Sequence, residues 1–269
     1  VYRVTDVGVQ RISARPARSL LRDRRGRLWI GMADGLYRLE RTGLTRRWPL
    51  GEEPAQEARW LAEAPDGQLW FATAYDGLRR YDPVSGRVEA VRAQRNLDAS
   101  LPENSASALM IDHGGMLWVG GQLRGVAVTD LRGARFVYAV DDTGSRRTAY
   151  DGDSVRALLQ DAAGALWIAT DEARLLRYDL ASARFEDMSE HLPRGAAGGP
   201  LRVAALAPAP DGGLWLGSFG GLLWMDPRTL RVRAVELGAH GRPGIRSLRT
   251  ARDGSLWIGT DQHGALHYR

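Results

Sequence analysis

Apolar residues in this chain come in short runs broken by glycine, proline and Asp-Gly pairs, and no stretch holds a helical period with caps at its ends. The strongest run recurs six times. Its copies are Leu28-Trp29-Ile30-Gly31, Leu69-Trp70-Phe71-Ala72, Leu117-Trp118-Val119-Gly120, Leu166-Trp167-Ile168-Ala169, Leu214-Trp215-Leu216-Gly217 and Leu256-Trp257-Ile258-Gly259. Successive tryptophans are 41, 48, 49, 48 and 42 residues apart, a spacing that marks stacked supersecondary units. The same order of elements surrounds each copy. An apolar segment leads into a turn, as in Ala58 to Gly67 and Gly244 to Gly254. Asp66-Gly67, Asp211-Gly212 and Asp253-Gly254 are hairpin signals, because glycine tolerates the positive φ of a tight turn between twisted strands. The Leu-Trp-Ile strand follows, then a short variable loop and a third strand such as Gly77 to Tyr81. A second turn at Asp82 to Gly86 leads to a fourth strand at Arg87 to Val91. Four antiparallel strands per repeat of this length predict an all-β fold, a β-propeller of four-stranded blades. The six tryptophans are assigned to packing between blades, since each holds the same mid-strand position among apolar neighbours.

The ends extend the pattern. Val1 to Val4 followed by Gly8 to Arg11 matches Leu36 to Leu39 followed by Gly43 to Arg46, so the chain opens on the third and fourth strands of a partial blade. It closes on Gly264 to Arg269, a third strand. Two closures stay open: a ring of six in which the N-terminal strand joins the last blade, and a seven-bladed or larger ring of which this is a part. The uninterrupted repeat predicts one propeller domain over residues 1–269, a fragment of a larger protein.

Composition narrows the partners. Hydrophobic residues make up 44% of the 269, enough for a sizeable core. No run approaches the ~18 apolar residues of a membrane span, so any membrane attachment is expected from other parts of a parent protein. Cysteine is absent, which excludes disulfides and thiolate sites. All 37 basic residues are arginine; the net charge is +5 and the pI near 9.9. The arginines spread through every repeat, often beside Asp or Glu, with the densest cluster at Arg22, Arg24, Arg25 and Arg27 on a hairpin. A nucleic-acid surface would gather them on one face with stacking aromatics, so no nucleic-acid partner is expected.

Candidate chemistry gathers in loops. The longest crossovers, Arg92 to Glu103, Asp141 to Asp153 and Ser189 to Pro200, share a face of the propeller with the loops that follow each repeat strand. Those loops carry Tyr75 and Asp76, Gln122 and Arg124, Asp171, Glu172 and Arg174, Phe219, and Asp261 and His263. Trp60 stands outside the tryptophan series, near the start of an innermost strand. Together these are the candidate ligand-binding residues, because variable polar and aromatic groups held by a rigid scaffold suit a polar ligand. No metal site is expected. Asp171 and Glu172 are adjacent, and adjacent residues in a strand or loop often point apart, while His263 and His267 are expected ~13 Å apart in an extended segment. No nucleophile elbow, phosphate loop or dinucleotide glycine motif occurs, so neither a catalytic residue nor a cofactor is expected.

Ser255 to Thr260, Ser-Leu-Trp-Ile-Gly-Thr, resembles the two-component regulator propeller repeat, as does the unit Leu101 to Gly120. Asn104-Ser105 and Asp153-Ser154 stand where that family carries a small polar pair, and Gly77 to Asp82 and Leu175 to Asp179 match its third-strand ending. The resemblance implies the periplasmic, ligand-sensing propeller of a bacterial membrane protein, passing its signal to a cytoplasmic histidine kinase or diguanylate cyclase. It implies a small polar ligand or oligosaccharide as partner, and a homodimer through the parent sensor. A second family with similar repeats, the streptogramin lyases, uses a histidine, an acid and magnesium; no matching His-x-His pattern is present here. A protein-interaction scaffold without a small ligand is the remaining alternative.

Overall fold

The computed structural model describes residues 2–5, 8–48, 57–94, 100–131, 136–138, 153–195 and 198–269. Parts of all three long crossovers, 95–99, 139–152 and 196–197, lie outside the described residues. Those described are all-β, with two single turns of 3-10 helix at Ser189–His191 and Gly238–His240.

Strands β1 (Tyr2–Thr5) and β2 (Gly8–Arg11) pair as a two-stranded sheet. Four-stranded antiparallel blades follow. The first holds β3 (Ala17–Arg22), β4 (Leu28–Met32), β5 (Gly35–Glu40) and β6 (Gly43–Trp48). The second holds β7 (Arg59–Glu63), β8 (Leu69–Ala72), β9 (Leu78–Tyr81) and β10 (Val88–Val91). The third holds β11 (Ala106–Ile111), β12 (Met116–Gly121), β13 (Val126–Asp130) and β14 (Phe136–Tyr138). The fourth holds β15 (Val155–Gln160), β16 (Leu166–Thr170), β17 (Leu175–Asp179) and β18 (Arg184–Asp187). The fifth holds β19 (Val203–Pro208), β20 (Leu214–Ser218), β21 (Gly221–Met225) and β22 (Val232–Val235). The sixth has three strands, β23 (Ile245–Thr250), β24 (Leu256–Thr260) and β25 (Ala265–Tyr268). The partial blade and six tryptophan blades read from the sequence are therefore present.

These residues fall into two compact units, Val1–Gly121 with Ala127–Val137, and Gln122–Val126 with Tyr138–Arg269. Within each unit the first strands of successive blades lie side by side. The up-and-down order then puts two hairpins of every full blade at one end, the hairpin end. The turn between the second and third strands lies at the other, the loop end.

In the first unit, Trp29, Leu36 and Trp48 pack on Leu69, Phe71 and Tyr81 of the next blade. Trp29 meets Tyr81 edge-on at 5.5 Å and Trp48 meets Phe71 at 5.1 Å. Strand alternation sends Trp70 to the opposite face, against Leu117 and Val119 of the third blade. In the second unit, Trp167 packs with Leu214, Leu216 and Met225. Trp215 does the same with Ile245, Leu256 and Ile258. The glycine of the repeat has a related cause. A Cβ on Gly31 would fall 2.3 Å from the Ala58 carbonyl oxygen, and one on Gly217 2.5 Å from the Ile245 side chain. The second strand of one blade presses on the first strand of the next.

One expectation is corrected. Trp257 is 39% exposed, whereas its five counterparts are buried. Leu256 and Ile258 face the fifth blade, so alternation turns Trp257 away from it, where it stacks on His267 at 4.4 Å. The hairpins also hold something the Asp-Gly signal did not indicate. In three blades an aspartate six residues before the tryptophan accepts its indole N–H: Asp23 from Trp29, Asp112 from Trp118 and Asp161 from Trp167, each at 2.8 Å. Asp161 also accepts the Ala163 and Ala165 backbone N–H groups. Ala209 takes that place before Trp215, whose buried Nε1 has no partner.

Two predictions follow from this packing. Trp167→Ala lowers unfolding free energy by about 3–5 kcal/mol, as expected for a buried aromatic, while Trp257→Ala costs less than half as much; urea melts of the two variants check the ranking. Asp161→Ala costs about 1–3 kcal/mol by orphaning the indole and two amides, and the same melts read it.

Candidate functional site

All six blades share a local irregularity near the loop end of the first strand. The pairing skips one residue, with β15 shifting between Val155 and Ala157 and β23 between Ile245 and Ser247. The same β-bulge occurs in β3, β7, β11 and β19. The skipped residues are Arg18, Trp60 and Ser107 in the first unit and Arg156, Ala204 and Arg246 in the second. A bulge leaves its extra residue out of the ladder and re-aims its side chain. Arg18, Trp60, Arg156 and Arg246 are exposed. In five blades the bulged residue lies eleven positions before the repeat tryptophan; in the second the bulge sits one position nearer the hairpin. There Trp60 adopts φ +37° and leaves 38% of its surface in solvent. A non-glycine residue at positive φ is strained, and exposed strain of this kind collects at ligand sites.

The bulged arginines meet the loop residues singled out from the sequence. Arg156 Nε donates to Asp171 Oδ1 at 2.5 Å, and Arg246 pairs in the same way with Asp261. The backbone closes the same clamp: Asp171 N–H donates to the Ser154 carbonyl and Asp261 N–H to the Gly244 carbonyl, each at 2.9 Å. At the matching place in the fifth blade, Phe219 N–H reaches the Arg202 carbonyl at 3.3 Å. The Phe219 ring, 38% exposed, has the guanidinium of Arg246 at 4.5 Å and that of Arg202 at 5.5 Å, distances at which cation–π attraction operates. His263 stands two residues after Asp261, its backbone N–H on the Thr260 hydroxyl and its ring 5.8 Å from that of His240. The structure therefore brings Phe219 and Asp261 together at the loop end of the fifth and sixth blades, joined by Arg202 and Arg246, while His263, in the same loop as Asp261, packs on His240.

The other candidates divide by role. Glu172 is exposed and stands 4.0 Å from Arg174, with its backbone N–H on Asp153. Gln122 and the exposed Arg124 lie in the turn between β12 and β13. Tyr75 is 75% exposed. Asp76 is occupied differently. It pairs with Arg79, which is buried and stacks 5.7 Å from Trp48, and accepts Arg92 at 2.6 and 2.9 Å. The Arg92 hydrogen bond leads; burial opposes it and Arg79 adds to it, and the balance holds the Asp76 carboxyl well below the usual carboxylate range. Its first task is to neutralise a buried guanidinium. Among the described residues no three His, Asp or Glu side chains converge on a metal position.

Sequence reading found the loop acids and aromatics by their place after each repeat strand. It missed the bulged Arg18, Arg156 and Arg246. The signal available was a residue of varying chemistry ten or eleven positions ahead of each tryptophan.

Residues 149–172 match the family described as Two component regulator propeller. The chain is a β-propeller carrying the two component regulator propeller repeat. Its fold is similar to the extracellular domain of a hybrid two component system from B. thetaiotaomicron, with TM-score 0.77 and 18% identity over 95% of this chain and 34% of that one. A second such domain from B. thetaiotaomicron gives TM-score 0.65 and 18% identity over 95% and 38%. Catalytically inactive virginiamycin B lyase from Staphylococcus aureus, with quinupristin, gives TM-score 0.72 and 12% identity over 98% and 85%. The chain spans little more than a third of the length of the first two structures. No curated protein matches it by sequence. No helix among the described residues is long and apolar enough to cross a membrane.

The Asp76 buckle sets a pH prediction. A carboxyl whose folded pKa is depressed stabilises the fold fully above the unfolded value of about 3.9 and loses that contribution as pH falls through the folded value. Asp76→Asn therefore lowers the melting temperature at neutral pH, and its deficit against the parent shrinks steadily as the melts are moved into acid.

Proposed function

We propose that this chain is the ligand-sensing extracytoplasmic propeller of a bacterial signal-transduction protein, binding a polar ligand such as a glycan fragment at its loop end. The observation that carries the reading is the recurrent bulge. In four of the six blades it turns out a side chain, Arg18, Trp60, Arg156 or Arg246, near a loop whose own polar or aromatic residue varies from blade to blade. Scaffold strands fix the backbone, and the chemistry at a fixed place is free to vary. Similarity to extracellular domains of hybrid two component systems supports the sensor assignment and the extracytoplasmic location. In this reading Asp171 and Asp261 orient Arg156 and Arg246, and the arginines, Phe219 and His263 meet the ligand. Trp60 and Tyr75 offer aromatic surface in the first unit.

Signalling needs more than binding. A ligand shifts an equilibrium only by its difference in affinity for the two arrangements, so the bound propeller must favour one placement of the neighbouring domains or of a dimer partner. That placement then reaches a cytoplasmic kinase or cyclase. The likeness to virginiamycin B lyase supplies the rival reading, and the chemistry separates the two: turnover with magnesium for a lyase, metal-independent binding for a sensor.

The test is a thermal-shift screen against neutral and acidic oligosaccharides, with and without magnesium. A ligand at 100 times its Kd adds about 2.7 kcal/mol to the folded state, so a saturable rise in melting temperature is expected. For a ligand held at the loop end, the rise should disappear in the double variant Arg156→Ala, Arg246→Ala. Absence of any shift across the panel would instead favour a protein-interaction scaffold, and magnesium-dependent loss of quinupristin from the mixture would favour the lyase.

A further inference from the structure

The loop end of the second unit holds an unmatched cation. Arg202 is exposed, and its carbonyl accepts the Phe219 N–H. Its guanidinium forms no ion pair with any described residue and rests instead on the Phe219 ring, 5.5 Å from the centroid. Arg246, from the neighbouring blade, holds its guanidinium 4.5 Å from the same centroid.

Two like charges on one ring repel, and the arrangement calls for an anion. The carboxylate at hand, Asp261, pairs with Arg246. Farther out, Arg242 is cancelled by Glu236 at 3.2 Å. Around Phe219 two guanidinium groups therefore face one carboxylate, which leaves a surplus of one positive charge. Both Cζ atoms lie within 5.5 Å of one ring centre, close enough for a single carboxylate to offer an oxygen to each. A guanidinium presents a flat fork of N–H donors that matches a carboxylate, and both arginines are exposed and so accessible to one.

The surface beside these charges is apolar. Phe219 leaves more than a third of its surface in solvent. Gly220 follows it, and the half-buried Leu201 side chain takes the space a side chain there would fill: a Cβ on Gly220 would fall 2.9 Å from Leu201 Cδ2. Phenyl ring and leucine methyls offer hydrocarbon contact next to the guanidinium groups, a combination suited to a ligand that is charged at one end and apolar at the other.

From this arrangement, and resting on the reading that the loop end is the ligand-binding end, we propose that the fifth and sixth blades bind a small monocarboxylate with an apolar body, of the type of benzoate or hexanoate. Its carboxylate oxygens accept from Arg202 and Arg246, and its hydrocarbon lies on Phe219 and Leu201. A single negative charge matches the surplus. A dianion exceeds it, and a neutral sugar leaves Arg202 unmatched. Arg202 is the anchor, because Arg246 already has Asp261.

The experiment is a calorimetric titration of the chain with benzoate and hexanoate, set against benzamide and hexanamide as uncharged counterparts and phenyl phosphate as a dianion. At least one carboxylate is expected to bind saturably, and its amide at least about tenfold more weakly, the scale of a hydrogen bond to a charged group. Arg202→Gln should weaken the carboxylate by a similar factor. Arg184→Gln takes the same charge from an exposed place on β18 and should leave binding unchanged, which separates a local clamp from the net charge of +5. Thermal melts check that both variants fold. No carboxylate binding up to tens of millimolar overturns the proposal. So does an amide that binds as well as its acid, phenyl phosphate binding more tightly than benzoate, or a carboxylate that is insensitive to Arg202→Gln or equally sensitive to Arg184→Gln. A neutral oligosaccharide that raises the melting temperature of a chain deaf to carboxylates would overturn the monocarboxylate and leave the sensor reading standing.

Discussion

A four-stranded antiparallel sheet this small has two apolar faces and no way to cover either from its own residues. Everything else in the molecule follows from that constraint. Within each unit a blade covers a face of its neighbour, and Trp29, Trp70, Trp167 and Trp215 lie in those joints. The chemistry of the repeat is therefore the chemistry of a joint. Leucine and isoleucine point one way, tryptophan the other, and glycine or alanine closes the strand where the next blade's backbone comes within contact distance. Where no blade of the same unit lies on that side, as at Trp257, the side chain is half in solvent and finds a histidine to stack on.

The joint also explains why polar groups appear inside it. Indole carries an N–H that cannot be buried freely. Asp23, Asp112 and Asp161 answer that need from the hairpin six residues earlier, and in doing so fix the turn that starts the strand. For Asp23 the cost of burial pushes its carboxyl up, yet the Trp29 and Arg27 hydrogen bonds outweigh it and hold the group below its ordinary value. Arg79 and Asp76 solve the converse problem, a buried cation that needs a counter-charge. These pairs make the scaffold stiff, and a stiff scaffold permits variation at its rim.

The rim is set by the bulges. A strand that paired perfectly would send its side chains alternately into the two blade interfaces. One skipped residue near the loop end breaks that alternation in every blade, and in four of them it turns an arginine or tryptophan out to solvent, while Ser107 stays buried on the Gly120 and Gly121 carbonyls. The same two-for-one pairing recurs with arginine, tryptophan, serine and alanine at the extra position. The backbone device is constant while its cargo changes, the arrangement expected of a surface whose recognition properties are set residue by residue.

By itself the sequence determined the fold class, the number of tryptophan blades, the strand order within each and the loops that carry variable chemistry. It could do so because period-two alternation, turn glycines and a repeat of fixed length are local properties, readable without knowing what packs on what. Phe219, Asp171, Asp261 and His263 were legible for the same reason, by their place after the repeated strand. Only the tertiary structure decided which acids were already spent. Asp76 and Asp171 look alike in sequence, yet one neutralises a buried arginine and the other holds an exposed one. Only the structure showed the bulged arginines, because a skipped pair is a relation between two strands. It alone placed Arg202 and Arg246 against Phe219, because that cluster is made from residues of two blades whose approach is fixed by packing.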